Sequence, residues 1–146
     1  MSIRGRSLSP EVAEDWIREL LRQDPEGAQL TVSGTCMEPS LPEGSRVTLR
    51  SFDGAPRVGD VVLLHTAAGL RLHRVLLRLG DRVRTKGDQG TYLDPPSPLS
   101  AIIGICDPSE TRLTRLGRAL RSLGRLLARP RAASPRGDAS HAGLLP

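Results

Sequence analysis

Short apolar segments separated by turn signals follow one another from residue 29 to residue 106. Turn signals such as Pro-Glu-Gly at residues 42–44 and Ala-Ala-Gly at residues 67–69 interrupt them. Apolar runs of this length, bounded by such breaks, are typical of β-strands. The strands predicted on this basis are Gln29–Ser33, Arg46–Arg50, Val61–His65, Leu70–Leu79, Arg82–Thr85 and Ala101–Cys106, with a proline-rich loop at Gln89–Ser100. The pattern therefore predicts a mainly β body.

A helix is predicted on each side of this body. Ser9 and Pro10 are a typical N-cap and first-turn pair, and apolar residues follow at helical spacing until residues 24–27. From Glu110 the helical period returns, with leucines on one face and arginines over the other. We thus expect a helical segment at 1–28, a β domain at 29–108, a basic amphipathic helix at 109–130 and a disordered tail at 131–146.

Composition narrows the functional classes. The chain carries a net charge of +5, but its aromatic content of 2% disfavours proteins that stack nucleic-acid bases on aromatic side chains. Two cysteines, Cys36 and Cys106, are too few for a disulfide framework. They are equally consistent with one disulfide bridge and with two free thiols in a reducing compartment. No ligand cluster or cofactor motif is recognised. The first residues lack a secretory h-region and no apolar run is long enough for a membrane span, so we expect a cytoplasmic protein with at most peripheral membrane contact.

One stretch, VSGTCMEPSLPEG at 32–44, places Cys36 just after a predicted strand. A cysteine nucleophile requires a base that makes it a thiolate. His65 and His73 lie in or beside strands, His141 lies in the tail, and Lys86 is the only lysine. A carboxylate usually orients the base. Asp88 and Asp94, in KGDQGTYLDPP, are the candidates, and spacing alone does not choose between them.

Four stretches in consistent order resemble the type I signal peptidases. GTCMEPSLPEG (34–44) is similar to the block around the nucleophile, and Gly34, Met37 and Pro39 match it. RVGDVVLL (57–64), LHRVLLRLGDRVRTKGDQG (72–90) and AIIGICD (101–107) are similar to the later blocks. The resemblance covers roughly residues 29–107. It implies a coiled antiparallel barrel or half-barrel and the cleavage of precursor or signal-type peptides.

The resemblance also implies roles for individual residues. His-Arg-Val followed by Thr-Lys-Gly-Asp looks like the histidine-base branch of the family, so His73 takes the position of the base. The family pattern favours Asp94 over Asp88 as the third member, with Asp88 in a supporting role. Cys36 stands where the family has serine, the large transmembrane anchor is missing, and Gly34 replaces a serine that contributes to the oxyanion hole in some relatives.

Each of these residues also has a purely structural explanation. Cys36 could be an inert buried thiol, His73 a core histidine and Asp94 a turn residue before two prolines. The sequence therefore leaves two main hypotheses, an endopeptidase acting through Cys36, His73 and Asp94, and a degenerate module that binds a peptide without cutting it. A third, weaker hypothesis is a self-cleaving regulator related to the SOS repressors.

The basic amphipathic pattern of the C-terminal helix has three possible explanations. Its 110–129 segment could rest on an anionic membrane, or its leucine face could pack on the β body while the arginines face water. Nucleic-acid binding is the least favoured of its three explanations.

Overall fold

The computed structural model of the chain describes residues 2–3, 6–7, 9–24, 26–106 and 112–127, with side chains described at 9–24, 26–106 and 117–124. Its elements, in chain order, are β1 (Ser2–Ile3), β2 (Arg6–Ser7), α1 (Pro10–Gln23), β3 (Ala28–Thr31), β4 (Arg46–Arg50), β5 (Val61–Thr66), β6 (Gly69–Leu79), β7 (Arg82–Lys86), β8 (Ser97–Pro98), a 3-10 turn (Leu99–Ala101), β9 (Ile102–Cys106) and α2 (Arg112–Leu127).

The described residues build a seven-stranded antiparallel sheet in the order β3-β4-β9-β5-β6-β7-β8. β9 lies between β4 and β5, so the last long strand of the domain enters the middle of the sheet. The two strands at the ends of this order, β3 and β8, do not pair with each other, so the sheet is not closed. The prediction of a mainly β body flanked by two helices is confirmed.

Apolar side chains cover both faces of this sheet because strand residues alternate between the two faces. One face packs against α1 through a cluster of Ile17, Leu21, Ala28, Leu49, Leu63, Ile103 and Cys106. The opposite face carries a second cluster of Val62, Leu64, Val75, Val83 and Ile102. β5 contributes to both clusters, since Leu63 points to one face and its neighbours Val62 and Leu64 to the other.

The first helix begins as predicted. The Ser9 hydroxyl accepts from the Val12 N–H at 3.4 Å, and Pro10 occupies the first helical position, where no backbone donor is lost. Ala13, Ile17 and Leu21 form its buried stripe. This stripe fixes α1 across the sheet and leaves Trp16, 42% exposed, at its side.

Several predicted strand ends differ from the structure by one or two residues. β3 ends at Thr31 rather than Ser33, because Gly34, at φ 84°, turns the chain soon after. The last strand starts at Ile102, since Leu99–Ala101 form a 3-10 turn. The proline-rich loop at 89–100 also contains the two-residue strand β8, which pairs with β7.

Where the side chains of the second helix are described, at residues 117–124, its buried residues are small. Ala119 and Ser122 are 4% and 3% exposed, whereas Leu120 and Leu123 are 60% and 41% exposed. The prediction that the leucine face packs on the β domain is therefore wrong for Leu120 and Leu123. Neither described helix has the length and hydropathy of a membrane-spanning segment. The predicted tail at 131–146 lies outside the described residues.

Candidate active site

A compact turn presents Cys36 directly after β3. The Gly34 N–H is held by the Glu43 carboxylate at 3.2 Å, and the Leu41 N–H returns to the Met37 carbonyl at 2.9 Å. Met37 is fully buried, so its side chain anchors the turn in the protein interior. Cys36 itself is half-buried, which leaves its thiol accessible beside a fixed backbone.

The end of β7 fixes this turn from the other side. The Gln89 N–H donates to the Cys36 carbonyl at 3.0 Å. A Cβ at Gly87 would lie 2.6 Å from the same carbonyl oxygen, closer than real Cβ contacts occur. Only glycine therefore allows residues 86–89 to approach the Cys36 turn this closely. Gly34 and Met37, expected to support the site, lie in the turn, and Pro39 follows them.

His73 lies on β6 with its ring almost completely buried. Its Nδ1 is 2.5 Å from Oδ2 of Asp94, which also accepts from the Thr85 hydroxyl at 2.6 Å. The Asp94 N–H donates to the Thr85 carbonyl at 2.8 Å, so the backbone holds the acid in place as well. These contacts fix the imidazole with Nδ1 protonated and direct Nε2 away from Asp94.

The structure brings Cys36 and His73 together. Nε2 of His73 is buried and has no hydrogen-bond partner among the described residues. The Cys36 Sγ donates weakly to the Leu72 carbonyl at 3.9 Å. The imidazole is nevertheless close enough to lower the pKa of the Cys36 thiol from 9.0, against the opposing effect of burial.

The same contacts act on the base and the acid. Burial alone would lower the pKa of His73, but the Asp94 hydrogen bond and the neighbouring Cys36 outweigh it and raise the pKa to about 9. Burial would raise the pKa of Asp94, yet His73 and Thr85 hold it below 3.8. All three directions favour a thiolate, an imidazolium and a carboxylate side by side.

Asp88 lies in a different set of contacts. Its two oxygens accept from Nε and Nη2 of Arg74 at 2.8 and 2.7 Å, and Arg74 is 1% exposed. Burial raises the pKa of Asp88, but hydrogen bonds from Arg74 and Ser40 lower it further than burial raises it. Asp88 thus ties β6 to the turn that follows Cys36, while Asp94 is the acid placed against His73.

The remaining candidate bases are occupied elsewhere. The Nδ1 of His65 is 2.6 Å from the carboxylate of Glu14 on α1. The buried Nζ of Lys86 donates to the Gly87 carbonyl and, at 2.8 Å, to the Ser122 hydroxyl on α2. His141 lies outside the described residues. Within the described part of the chain, no group of His, Cys, Asp and Glu side chains could hold a metal ion.

A groove of about 1310 Å³ leads away from Cys36. Residues 29–37 form one wall, residues 68–72 form the other, and Pro10, Ala13 and Trp16 of α1 contribute to the lining. Leu63 and Val47 lie at its floor. Small-molecule pockets measure roughly 300–1,000 Å³, so this groove is suited to a longer ligand.

Both walls present free strand edges to the groove. Val75 exchanges hydrogen bonds with Gly59 and Asp60 on the β5 side, so the backbone groups of Leu70 and Leu72, which precede it by an odd number of residues, point the other way. β7 pairs with β6 only from Arg74 onward, which leaves Leu70 and Leu72 without a strand partner on that edge among the described residues.

The opposite wall has the same property. Val32 bonds to Gly44 and Ser45 on the β4 side, so the backbone groups of Thr31 and Ser33 face outward. Both edges run toward Cys36, β3 from Gln29 onward and β6 from Gly69 onward. An extended peptide between them could bond to both edges.

Sequence reasoning missed several residues of this site. Thr85 and Arg74 lie inside motifs that the resemblance covers, but their contacts depend on how β6 and β7 pair. Arg71 lines the groove beside Cys36, and its charge lowers the pKa of both Cys36 and Asp94. Its position two residues before His73, on the same strand face, was the available signal.

Comparisons of the chain with protein-family models, with curated proteins and with solved structures found no match.

Proposed function

We propose that this protein is an endopeptidase related to the type I signal peptidases, with Cys36 as nucleophile, His73 as general acid and base, and Asp94 as the residue that orients His73. The observation that carries the proposal is the convergence of these three side chains at the end of a peptide-sized groove. Buried polar side-chain atoms are normally hydrogen-bonded. The buried Nε2 of His73 has no such partner among the described residues, which supports a functional role for His73 over that of a core histidine beside an inert thiol.

The reaction begins with the thiolate–imidazolium pair. Sγ attacks the scissile carbonyl carbon, and the C=O electron pair moves onto oxygen. The backbone N–H of Cys36, which helps to lower the pKa of its own thiol, is the candidate donor to this oxyanion. The intermediate collapses with cleavage of the C–N bond, and the leaving amine takes the proton from Nε2 of His73.

Hydrolysis of the thioester completes the cycle. Water gives a proton to Nε2 while its oxygen attacks the acyl carbon, and the C–S bond breaks to return the thiolate. The second peptide leaves as a carboxylic acid, which releases its proton to the solvent. Asp94 keeps its negative charge throughout and holds Nδ1–H, so that Nε2 is always the atom that exchanges the proton.

The substrate is an extended peptide that adds a strand between β3 and β6. Main-chain hydrogen bonds to the free edges near Thr31, Ser33, Leu70 and Leu72 would hold it without regard to sequence. Alternate side chains would point to the apolar floor beside α1 or to the face that carries His73. A precursor or signal-type peptide, unfolded around its cleavage site, fits this geometry.

The fold supports the same assignment. The open, antiparallel sheet with apolar clusters on both faces is consistent with the coiled half-barrel that the sequence resemblance implies. The Gly-Thr-Cys-Met turn lies after one strand and His-Arg-Val lies on another, so the order of the motifs corresponds to one site.

The experiment that tests the function is a search for cleavage. The protein is incubated with a mixture of unstructured peptides, and new termini are identified by mass spectrometry. We expect defined cleavage sites that disappear in Cys36→Ala and in His73→Ala but persist in the matched controls Cys106→Ala and His65→Ala. Cleavage that survives Cys36→Ala would contradict the proposed chemistry.

One observation favours the alternative, a module that binds a peptide without cutting it. In the structure the Cys36 thiol is directed at the Leu72 carbonyl at 3.9 Å, and Nε2 of His73 has no hydrogen-bond partner among the described residues. Trp16 is the only tryptophan and lines the groove, so its fluorescence should report binding. Peptides that change this fluorescence but stay intact with the unmodified protein would support the alternative.

A further inference from the structure

We propose that Arg71 selects peptides carrying an acidic side chain two positions from the residue whose carbonyl Cys36 attacks. This inference rests on the proposed function, because it assigns the substrate class of the same groove. Arg71 lines the groove and is exposed, whereas the next arginine of the same strand, Arg74, is buried against Asp88.

The strand register places Arg71 relative to the reaction centre. Arg71, His73 and Val75 share one face of β6, since side chains two residues apart in a strand point the same way. Two residues of a strand span roughly 6.6 Å. A peptide strand beside β6 follows the same spacing, so the side chain opposite Arg71 belongs to the residue two positions from the one opposite His73.

The charge of Arg71 is not neutralised by a close carboxylate. Among the described residues, Arg18 and Arg22 of α1 and Arg74 of β6 form ion pairs shorter than 3 Å, but Arg71 forms none. Asp94 is within electrostatic reach of Arg71, yet its Oδ2 is already shared by His73 and Thr85. The guanidinium is thus available to a ligand.

The rest of the groove carries little charge, so Arg71 determines which ligand charge is preferred. Among the described residues, Glu43 is the only acidic side chain that lines the groove, and its carboxylate is held by the Gly34 N–H on the opposite wall. The rest of the lining is apolar or uncharged. Cross-strand neighbours in a sheet have Cβ atoms about 4.5–5.5 Å apart, a separation that Asp or Glu can bridge to an arginine.

Binding is measured first, in the Cys36→Ala variant, so that cleavage does not interfere. The probes are short Ala- and Leu-based peptides that carry one Asp, or one Lys, at each position in turn, and the readout is Trp16 fluorescence. We expect a preference for Asp of roughly fivefold to tenfold in Kd at a single position, typical of one partly exposed charge pair.

Charge reversal then tests whether Arg71 is the cause. Arg71→Glu, combined with Cys36→Ala, should reverse the preference to Lys at the same position, and Arg71→Gln should abolish it. Arg78→Glu is the matched control, because Arg78 is an exposed arginine of the same strand that does not line the groove. Arg78→Glu should keep the original preference.

The outcomes separate the two proposals. An Asp preference that Arg71→Glu leaves unchanged, or the absence of any charge preference among bound peptides, would overturn the role of Arg71 even if the unmodified protein cuts them. A preference that reverses as expected, with no cleavage by the unmodified protein, would support Arg71 and contradict the endopeptidase.

Discussion

At the scale of single residues, the site depends on which carboxylate lies against which base. Asp94 and Asp88 are separated by a few residues in the sequence and both are half-buried or buried, but one faces His73 and the other Arg74. The pKa of each is lowered by its own partner. Replacing either acid should therefore have a distinct effect.

Asp94→Asn should lower the pKa of His73 from about 9, because the carboxylate that stabilises the imidazolium is lost. The measurement is an NMR titration of the His73 ring. Peptide cleavage should fall by on the order of a hundredfold or more, as expected when the residue that orients a catalytic histidine is neutralised.

Asp88→Asn is the control for this prediction. It should leave the pKa of His73 close to that of the unmodified protein and should instead destabilise the fold by about 3–5 kcal/mol, since Arg74 would stay buried without its partner. An equal change in the pKa of His73 in both variants would contradict the assignment of Asp94.

At the scale of elements, the close contact between the Cys36 turn and the end of β7 sets the position of the Cys36 thiol. The Gly87 backbone touches Cys36, and the next residues donate to its carbonyl and bind Arg74. β6 and β7 are paired as far as Lys86, so the turn, His73 and Asp94 are fixed to one part of the sheet.

Gly87→Ala should displace this turn. The new Cβ would meet the Cys36 carbonyl oxygen at 2.6 Å, and strain of this kind destabilises a fold by about 1–3 kcal/mol. We expect a lower melting temperature together with slower alkylation of Cys36. Gly90→Ala is the control, since its Cβ would make an ordinary contact of 3.5 Å and should change neither measurement.

Elements were predictable where the local signal was strong. Ser9 and Pro10 marked the start of α1, and alternating residues marked β4, whose observed bounds are those predicted. The inner face of α2 was not predictable, because the helical period shows which residues share a face but not which face has a partner. Ser122 faces inward, where its hydroxyl accepts from the buried Lys86.

At the scale of the whole molecule, the sequence predicted the mainly β body but not the order of its strands. The insertion of β9 between β4 and β5 brings residues distant in the sequence together, and no local pattern encodes it. The groove follows from the same arrangement, since its walls are the strand edges that this order leaves free. The proximity of Asp94 to His73 likewise depends on tertiary packing.

Acid should destabilise the whole fold. The pKa values of Asp88 and Asp94 are lowered in the folded state from 3.8, so the stability they contribute is complete above this value and is lost as the pH falls through their folded pKa values. Melting temperatures measured between neutral pH and pH 2 should fall most steeply below about 4. Asp88→Asn should show a shallower fall.

The most direct test of the Cys36–His73 pair is the pH dependence of Cys36 alkylation by iodoacetamide in a Cys106→Ala background. Burial raises the pKa of Cys106 to about 12, so its removal should not disturb the site electrostatically. We predict a midpoint below 9.0 for Cys36, and an upward shift when His73→Ala is added, because the hydrogen bond of His73 is the main cause that lowers the pKa of this thiol. The same midpoint with and without His73, near 9.0 or above, would contradict the pair and with it the proposed peptidase.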